Sequence, residues 1–447
     1  MKTNPGKFFR LAGWKTGSGL FWLALVAWLW LLVSQPALTA AAVKPAYALV
    51  NCRLVTVSGP TIEKGTIVIR NGLIEAVGAS QKIAIPADAE VIEAGGLTAY
   101  PGLISAHTNL FLEIKEPDQP QTAEDFMTAY TQPAAPQEFP ELLIFREIKP
   151  KTKTVESWHR VGFTTVVVAP ARGIFQGQSV ILNLNSDQAN RMVLKQPWAL
   201  HINFTTERGL YPSSLMGTVA FIRQKFYDTQ HYSLHLKKYL DSPRFLTRPE
   251  YDPFLEALVP FVVEKKPVVF QCNNQEDIKR ALRLIDEFQL KAVLSGCNEA
   301  WRVTANLKTA RIPLLVSLDF RPPATSLYNQ QGEAARKKAE AELYPANAAI
   351  LARENIPFAL TSFGLSDTSL GKNLQAALKA GLSPEAALKA LTIEPARILG
   401  LDQQLGTLEP GKMANLVLTR GDLFGEKTRV VKVLVDGILF NYEEKSQ

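Results

Sequence analysis

PVVFQCNNQEDIKRALRLIDEFQLKAVLSG, residues 267–296, carries the pattern on which the fold turns. Its two ends, PVVFQC and KAVLSG, are short apolar runs without alternation, as expected of strands buried on both faces. Between them Ile278, Leu282, Ile285 and Phe288 recur every three or four residues, which places them on one face of a helix. Two buried strands joined by a helix predict a parallel pair covered by its crossover.

The same unit recurs outward in both directions. Upstream stand GLTAYPGLISAHTNL (96–110), GFTTVVVAP (162–170) and WALHINF (198–204); downstream stand IPLLVSLDF (312–320) and IPFALTSFG (356–364). A helix is predicted over residues 213–240, and another begins at Ser383-Pro384-Glu385, a capping serine with proline in the first turn. Seven or eight such strands over about 300 residues suit a (β/α)8 barrel better than a six-stranded doubly wound sheet. Residues 113–153, rich in Pro, Gln and charge, read as a long ordered loop after the first barrel strand.

The two ends of the chain differ from the middle. ALVNCRLVTV (48–57), TIVIR (66–70) and LIEAVG (73–78) alternate with period two, and Asn71-Gly72 marks a hairpin, because both turn residues need positive φ. AEVIEA (89–94) is read as continuing this antiparallel structure, and short strands return in KMANLVLT (412–419) and RVVKVLVDGILF (429–440). Each part alone is too small to bury a face, so the ends are expected to pair into one small β-sandwich. The expected organisation is a signal peptide over 1–42, a composite side domain of 46–98 plus 404–441, and an α/β barrel over 99–403.

The signal is read from LFWLALVAWLWLLV (20–33), preceded by Lys2, Lys7, Arg10 and Lys15 and followed by small residues at 40–42. About 14 apolar residues fall short of the roughly 20 that span a bilayer, so export to the periplasm or beyond is expected, with anchoring through 20–33 as the alternative. Taking those four cations from the formal charge of +7 leaves +3, and no basic stripe with interleaved aromatics appears elsewhere, so nucleic acid is set aside. Cys52, Cys272 and Cys297 fit neither a disulfide framework nor a metal knuckle and read as small buried hydrophobes.

Several stretches together resemble one family. VIRNGLIEAVG (68–78), PADAEVIEAGGLTAYPGLISAHTNL (86–110), GFTTVVVAP, LSPEAALKALTIEPARILGL (382–401) and LGTLEPGKMANLVL (405–418) with VLVDG (433–437) are similar, in order and spacing, to the amidohydrolase superfamily, and within it to exported, imidazolonepropionase-like members. The resemblance implies hydrolysis of carbon–nitrogen bonds by a divalent ion held at the C-terminal ends of the barrel strands. Its ligand pattern is His-x-His after the first strand, His after the fifth and sixth, and Asp after the eighth. Such an ion acidifies a bound water for attack on a carbonyl.

Set on this chain, the pattern meets His107, Asn109, Gln271, Ser295 and Phe363. Only His107 keeps a ligand, since amides and hydroxyls are weak neutral donors and phenylalanine donates nothing. Of the other histidines, His159 falls in a helix, His201 reads as a satisfied core histidine, and His231 with His235 read as a solvated helix face. No G-x-S-x-G elbow is present, and ARGIFQGQ (171–178) reads as a turn rather than a phosphate loop. Asp319, at a strand end, is a weak catalytic candidate that reads as a cap or ion-pair member.

Three readings stay open at this point. The first is a pseudoenzyme without cofactor, binding a small molecule in the barrel mouth or pairing with itself or an active relative. The second is an active hydrolase with one divalent ion, zinc, on His107 with Asp319 or a carboxylate of the 113–153 loop. The third is a structural envelope protein.

Overall fold

The computed structural model describes residues 46–113, 138–205, 211–321 and 343–443. The expected signal and most of the loop after the first barrel strand lie outside these residues. In the decisive stretch, strand Val268–Cys272 leads through helix Gln275–Phe288 to strand Ala292–Gly296, and the strands pair in parallel from Val268↔Ala292 to Cys272↔Gly296. Asn274 caps the helix, its side chain accepting from the Glu276 and Asp277 amides at 3.0 and 2.9 Å. The buried face is Ile278, Ala281, Leu284, Ile285 and Phe288. Leu282, expected on that face, sits at its edge, half-buried.

The parallel ladder runs through Leu200–Asn203, Val268–Cys272, Ala292–Gly296, Leu314–Ser317 and Phe358–Thr361. On the other side Leu103–Thr108 pairs in parallel with Phe163–Val168. Between the two groups lies a strand of opposite direction. Its first part, Phe175–Gln178, is antiparallel to Leu200–Asn203, and its second, Val180–Asn183, is antiparallel to Phe163–Val168. The segment read as a turn is therefore largely a barrel strand. Only six residues separate Val168 from Phe175. A parallel crossover needs about a dozen, so the chain can only fold straight back.

Side-chain alternation shows the ring. Ile104, Ala106, Val167, Ile181, Ala199, Val269, Val293, Leu315 and Ala359, from all eight strand positions, form one interior cluster with Trp198, Ala396 and Leu399. Their neighbours in sequence, including Val166, Leu182, Leu200, Phe270, Leu294, Val316 and Leu360, face outward into the layer beneath the helices. At the seam, Ser105 Oγ and Ser362 Oγ lie 2.7 Å apart and join Leu103–Thr108 to the strand beside it. The fold is an α/β barrel of the (β/α)8 type with a small side domain.

That side domain is one eight-stranded sheet drawn from both chain ends. Thr98–Pro101 pairs antiparallel with Leu416–Arg420 (Ala99↔Leu418) and parallel with Tyr47–Leu54. Its two wings enclose a shared core that includes Leu49, Ile67, Leu416 and Leu434. The Asn71-Gly72 hairpin forms as expected, with φ of 52° and 82°. Glu90–Glu93 instead runs parallel to Tyr47–Leu54, because it returns by a crossover rather than a hairpin. Asn415, in the GKMAN block, ties sheet to barrel: its buried amide donates to Thr165 Oγ1 and Asn183 Oδ1, and its Oδ1 accepts from the Asp436 amide at 2.7 Å.

The helix expected over 213–240 is Leu215–Asp241, capped by Ser214, and Ser383 caps the next by accepting from the Ala386 amide. The three cysteines are buried and unpaired. Residues 138–143 lie along the antiparallel strand, with Phe139 N donating to Phe175 O and Gln178 N to Leu142 O, both at 2.7 Å. Helix begins at Thr152, two residues before the expected end of the loop.

Candidate functional site at the barrel mouth

Two residues beyond the interior layer, the same alternation points polar side chains inward: His201 after Ala199, Gln271 after Val269, Ser295 after Val293, Ser317 after Leu315 and Thr361 after Ala359. Strand Leu103–Thr108 adds His107. With Asn273, Asn298, Asp319, Arg321, Phe363 and Gly364 most of these line a cleft of about 200 Å³. This is smaller than the roughly 300–1,000 Å³ of common ligand pockets, so only a small occupant fits.

His107 is buried at its floor. Its Nδ1 lies 2.5 Å from Ser295 Oγ, and its ring is 4.4 Å from that of Phe363 and 5.1 Å from that of His201. The Nε2 atoms of both histidines are buried without a partner among the described residues. Burial drives the His107 imidazole down to about 3 and holds that of His201 well below its ordinary value, with the charge of His107 acting in the same direction. Near neutral pH the floor is therefore two neutral rings, each with one free nitrogen.

The rim is held by short-range bonds. Asn203 Nδ2 donates to Gln271 Oε1 at 3.4 Å, Asn298 Nδ2 to Asp319 O at 3.1 Å, and the Gly364 amide to Asn109 Oδ1 at 3.3 Å. Asp319 is gripped by Arg321, whose Nε lies 2.8 and 2.9 Å from its two oxygens while Nη2 also contacts Oδ2. The carboxylate beside it raises the Arg321 guanidinium further. Asp319 is thus an ion-pair member, as one reading of the sequence expected.

All five positions singled out from the resemblance, His107, Asn109, Gln271, Ser295 and Phe363, meet at this mouth. His201 departs from expectation: it is a core histidine whose Nε2 finds no partner among the described residues, because its place on the inward face sets it beside the tilted ring of His107. Asn273, Asn298, Ser317, Arg321 and Thr361 were not singled out, although counting two residues on from each inward apolar position finds Ser317 and Thr361.

The donor set does not fit the divalent ion that the resemblance implies. Catalytic ions keep about three protein ligands, commonly His, Cys, Asp or Glu. Among the described residues no three of these converge. The mouth offers two imidazoles, one of them tied to Ser295, and a carboxylate committed to a guanidinium. His231 and His235 lie 6.1 Å apart on their helix, also without a third ligand of that kind among the described residues.

His159 lies elsewhere and is structural. Buried in helix Thr152–Val161, its Nδ1 meets Tyr442 Oη at 2.7 Å and its Nε2 the Leu184 carbonyl at 2.8 Å. Burial lowers it to about 4, partly opposed by the Leu184 bond. Unfolded histidine titrates near 6.5, so the unfolded chain takes up the proton first as pH falls. The contribution is complete above about pH 6.5 and is lost progressively toward pH 4. At pH 5 the expected loss is on the order of 2 kcal/mol. Urea unfolding at pH 7, 6 and 5 should show it on top of the like-signed contributions of buried His107 and His201, and His159→Gln should reduce the slope by its own share; an unchanged slope in the variant would refute the assignment.

Comparison with known proteins places these features. Residues 333–439 match the Amidohydrolase family. An adenine deaminase 2 from Jannaschia sp. is 48% identical over 46 residues, 10% of this chain and 7% of that protein. An imidazolonepropionase from Erwinia tasmaniensis is 40% identical over 70 residues, 14% of this chain and 17% of that protein. The chain thus matches less than a fifth of the length of these curated relatives. The crystal structure of an amidohydrolase from Thermotoga maritima is similar over 89% of this chain and 100% of that one, with 25% identity and a TM-score of 0.72. With the barrel, the two-ended side sheet and this likeness along nearly the whole described chain, the protein belongs to the amidohydrolase superfamily.

Proposed function

We propose that this chain is an exported pseudoenzyme of a carbon–nitrogen hydrolase family, one that holds a small uncharged peptide-like or heterocyclic molecule at its barrel mouth. The observation that supports this most is the donor set: where the family pattern calls for three more ligands and a proton-carrying carboxylate, the mouth presents Asn109, Gln271, Ser295 and Phe363. Amides and hydroxyls recognise a polar neutral edge, and the Phe363 ring covers the imidazole that remains. Export is supported by the apolar run at 20–33 behind four cations. An oligomer with itself or an active relative is the expected assembly if the cleft alone has no ligand.

One observation favours a second reading, an active hydrolase with a single ion: the Nε2 atoms of His107 and His201 have no hydrogen-bond partner among the described residues. Metal content and a hydrolysis screen on one preparation separate the two. The proposal expects metal far below one equivalent and no turnover of cyclic amides, N-acyl amino acids or dipeptides. One equivalent of tightly held zinc, manganese or iron, or turnover lost on His107→Ala, would sink it.

A further inference from the structure

Helix Leu215–Asp241 is buried most deeply in its first two-thirds. Its fully buried side chains end at Tyr232. Over the last nine residues, about 13 Å of helix, only Ser233, His235, Leu236 and Tyr239 are half-buried and the rest are exposed. The chain then turns back through residues 242–252 to the next helix, and every residue from Leu240 to Arg248 is exposed.

What this tip exposes is unusual. Leu240 is 70% accessible, Leu246 40% and Phe245 103%, the last at a φ of 64° that phenylalanine rarely adopts. Lys237, Lys238, Arg244 and Arg248 surround them, against Asp241 and Glu250, and none of the four cations forms an ion pair with the described residues. Leu234 and Leu240, both exposed, are six residues apart on the helix and so fall on different faces. Tyr227 and Leu234 do stand seven apart, the spacing of a helix laid in a groove, but Leu240 and the apolar residues of the turn lie off that row. Apolar side chains around a narrow tip, collared by free cations, match the boundary between acyl chains and anionic headgroups. The helix itself is too polar to cross a membrane.

We infer that residues 237–248 form a membrane-contact tip that inserts Leu240, Phe245 and Leu246 shallowly into an anionic lipid surface. The native cysteines are buried, so a polarity-sensitive dye on Thr247→Cys of the full chain reports this tip alone. Mixing with vesicles of zwitterionic and anionic phospholipid should shift its emission to the blue. The shift should vanish with purely zwitterionic vesicles and in high salt, and Phe245→Ser with Leu246→Ser should weaken partitioning about ten-fold or more. The same dye on Gln81→Cys, on the side sheet, should not respond. No shift at Thr247, an equal shift at Gln81, or a shift that grows with protein concentration without lipid would overturn the inference. The last outcome would assign the tip to a second copy of the chain.

Discussion

Gly177→Ala is expected to cost about 3–5 kcal/mol of stability. Gly177 sits at φ 111° inside the antiparallel barrel strand, a conformation that burdens an L side chain by about 1–3 kcal/mol on its own. Space adds to this. A Cβ there would lie 2.7 Å from the Leu142 carbonyl oxygen, 2.9 Å from Leu142 Cβ and 3.1 Å from the Phe139 carbonyl oxygen. The first and last of these are backbone atoms, so no rotamer change relieves them. Segment 138–143 must move, and with it the bonds Gln178 N to Leu142 O and Phe139 N to Phe175 O. Gly411 supplies the comparison, with φ 87° and nothing within 4 Å of its would-be Cβ. Gly411→Ala should cost only the backbone part, about 1 kcal/mol. Equal urea midpoints for the two variants would show that the close approach at Gly177 carries no weight.

That glycine also shows where the sequence stops being legible. The parallel strands declare themselves because burial on both faces removes polar residues, leaving VVF, AVL and LLV unbroken. The third barrel strand does not, because its close contact with residues 139–142 demands glycine in mid-strand, and FQGQS then reads as a turn. A local pattern cannot reveal a constraint imposed by a segment more than 30 residues away. The same holds for Glu90–Glu93, whose alternation announces a strand without giving its direction.

The mouth divides similarly. Its family positions are reached by resemblance: Gln271, Ser295 and Phe363 keep the inward register that the apolar layer sets, whereas His107 and Asn109 fall one residue off it, where the pairing with Phe163–Val168 is irregular between Ser105 and Thr108. His201 was misjudged in one respect: an apolar strand predicts burial of its imidazole, but not that its nearest polar neighbour would be a second neutral imidazole. Asn298 and Arg321 lie past strand ends, where period-two reasoning no longer applies. Asp319, a weak catalytic candidate that as a lone acid is more often a cap or ion-pair member, is found paired with Arg321.

If only the donors have changed and the scaffold has not, restoring them should restore metal binding. The variant Asn109→His, Gln271→His, Ser295→His and Phe363→Asp, with native His107, is expected to take up one equivalent of zinc or cobalt. Gln271 and Ser295 face each other in register on adjacent strands, Ser295 already touches His107, and Phe363 lies over that ring. Gln271, Ser295 and Phe363 therefore gather around His107, and Asn109 reaches the Gly364 amide next to Phe363. The cost is packing: Ser295 is fully buried, and enlarging it costs about 1–3 kcal/mol, partly offset by the volume that Phe363→Asp vacates beside it. Bound metal returns about 2.7 kcal/mol at a hundred times its Kd, enough to raise the melting temperature by several degrees. Cobalt should give the absorption of a four-coordinate ion, a chelator should abolish both signals, and the unaltered protein should respond to neither. A variant that unfolds cooperatively yet holds no more metal than its parent would mean that the backbone at the mouth has itself departed from metal-binding geometry. Uptake by the unaltered protein would instead restore the single-ion reading, with His107 and His201 as its first two donors.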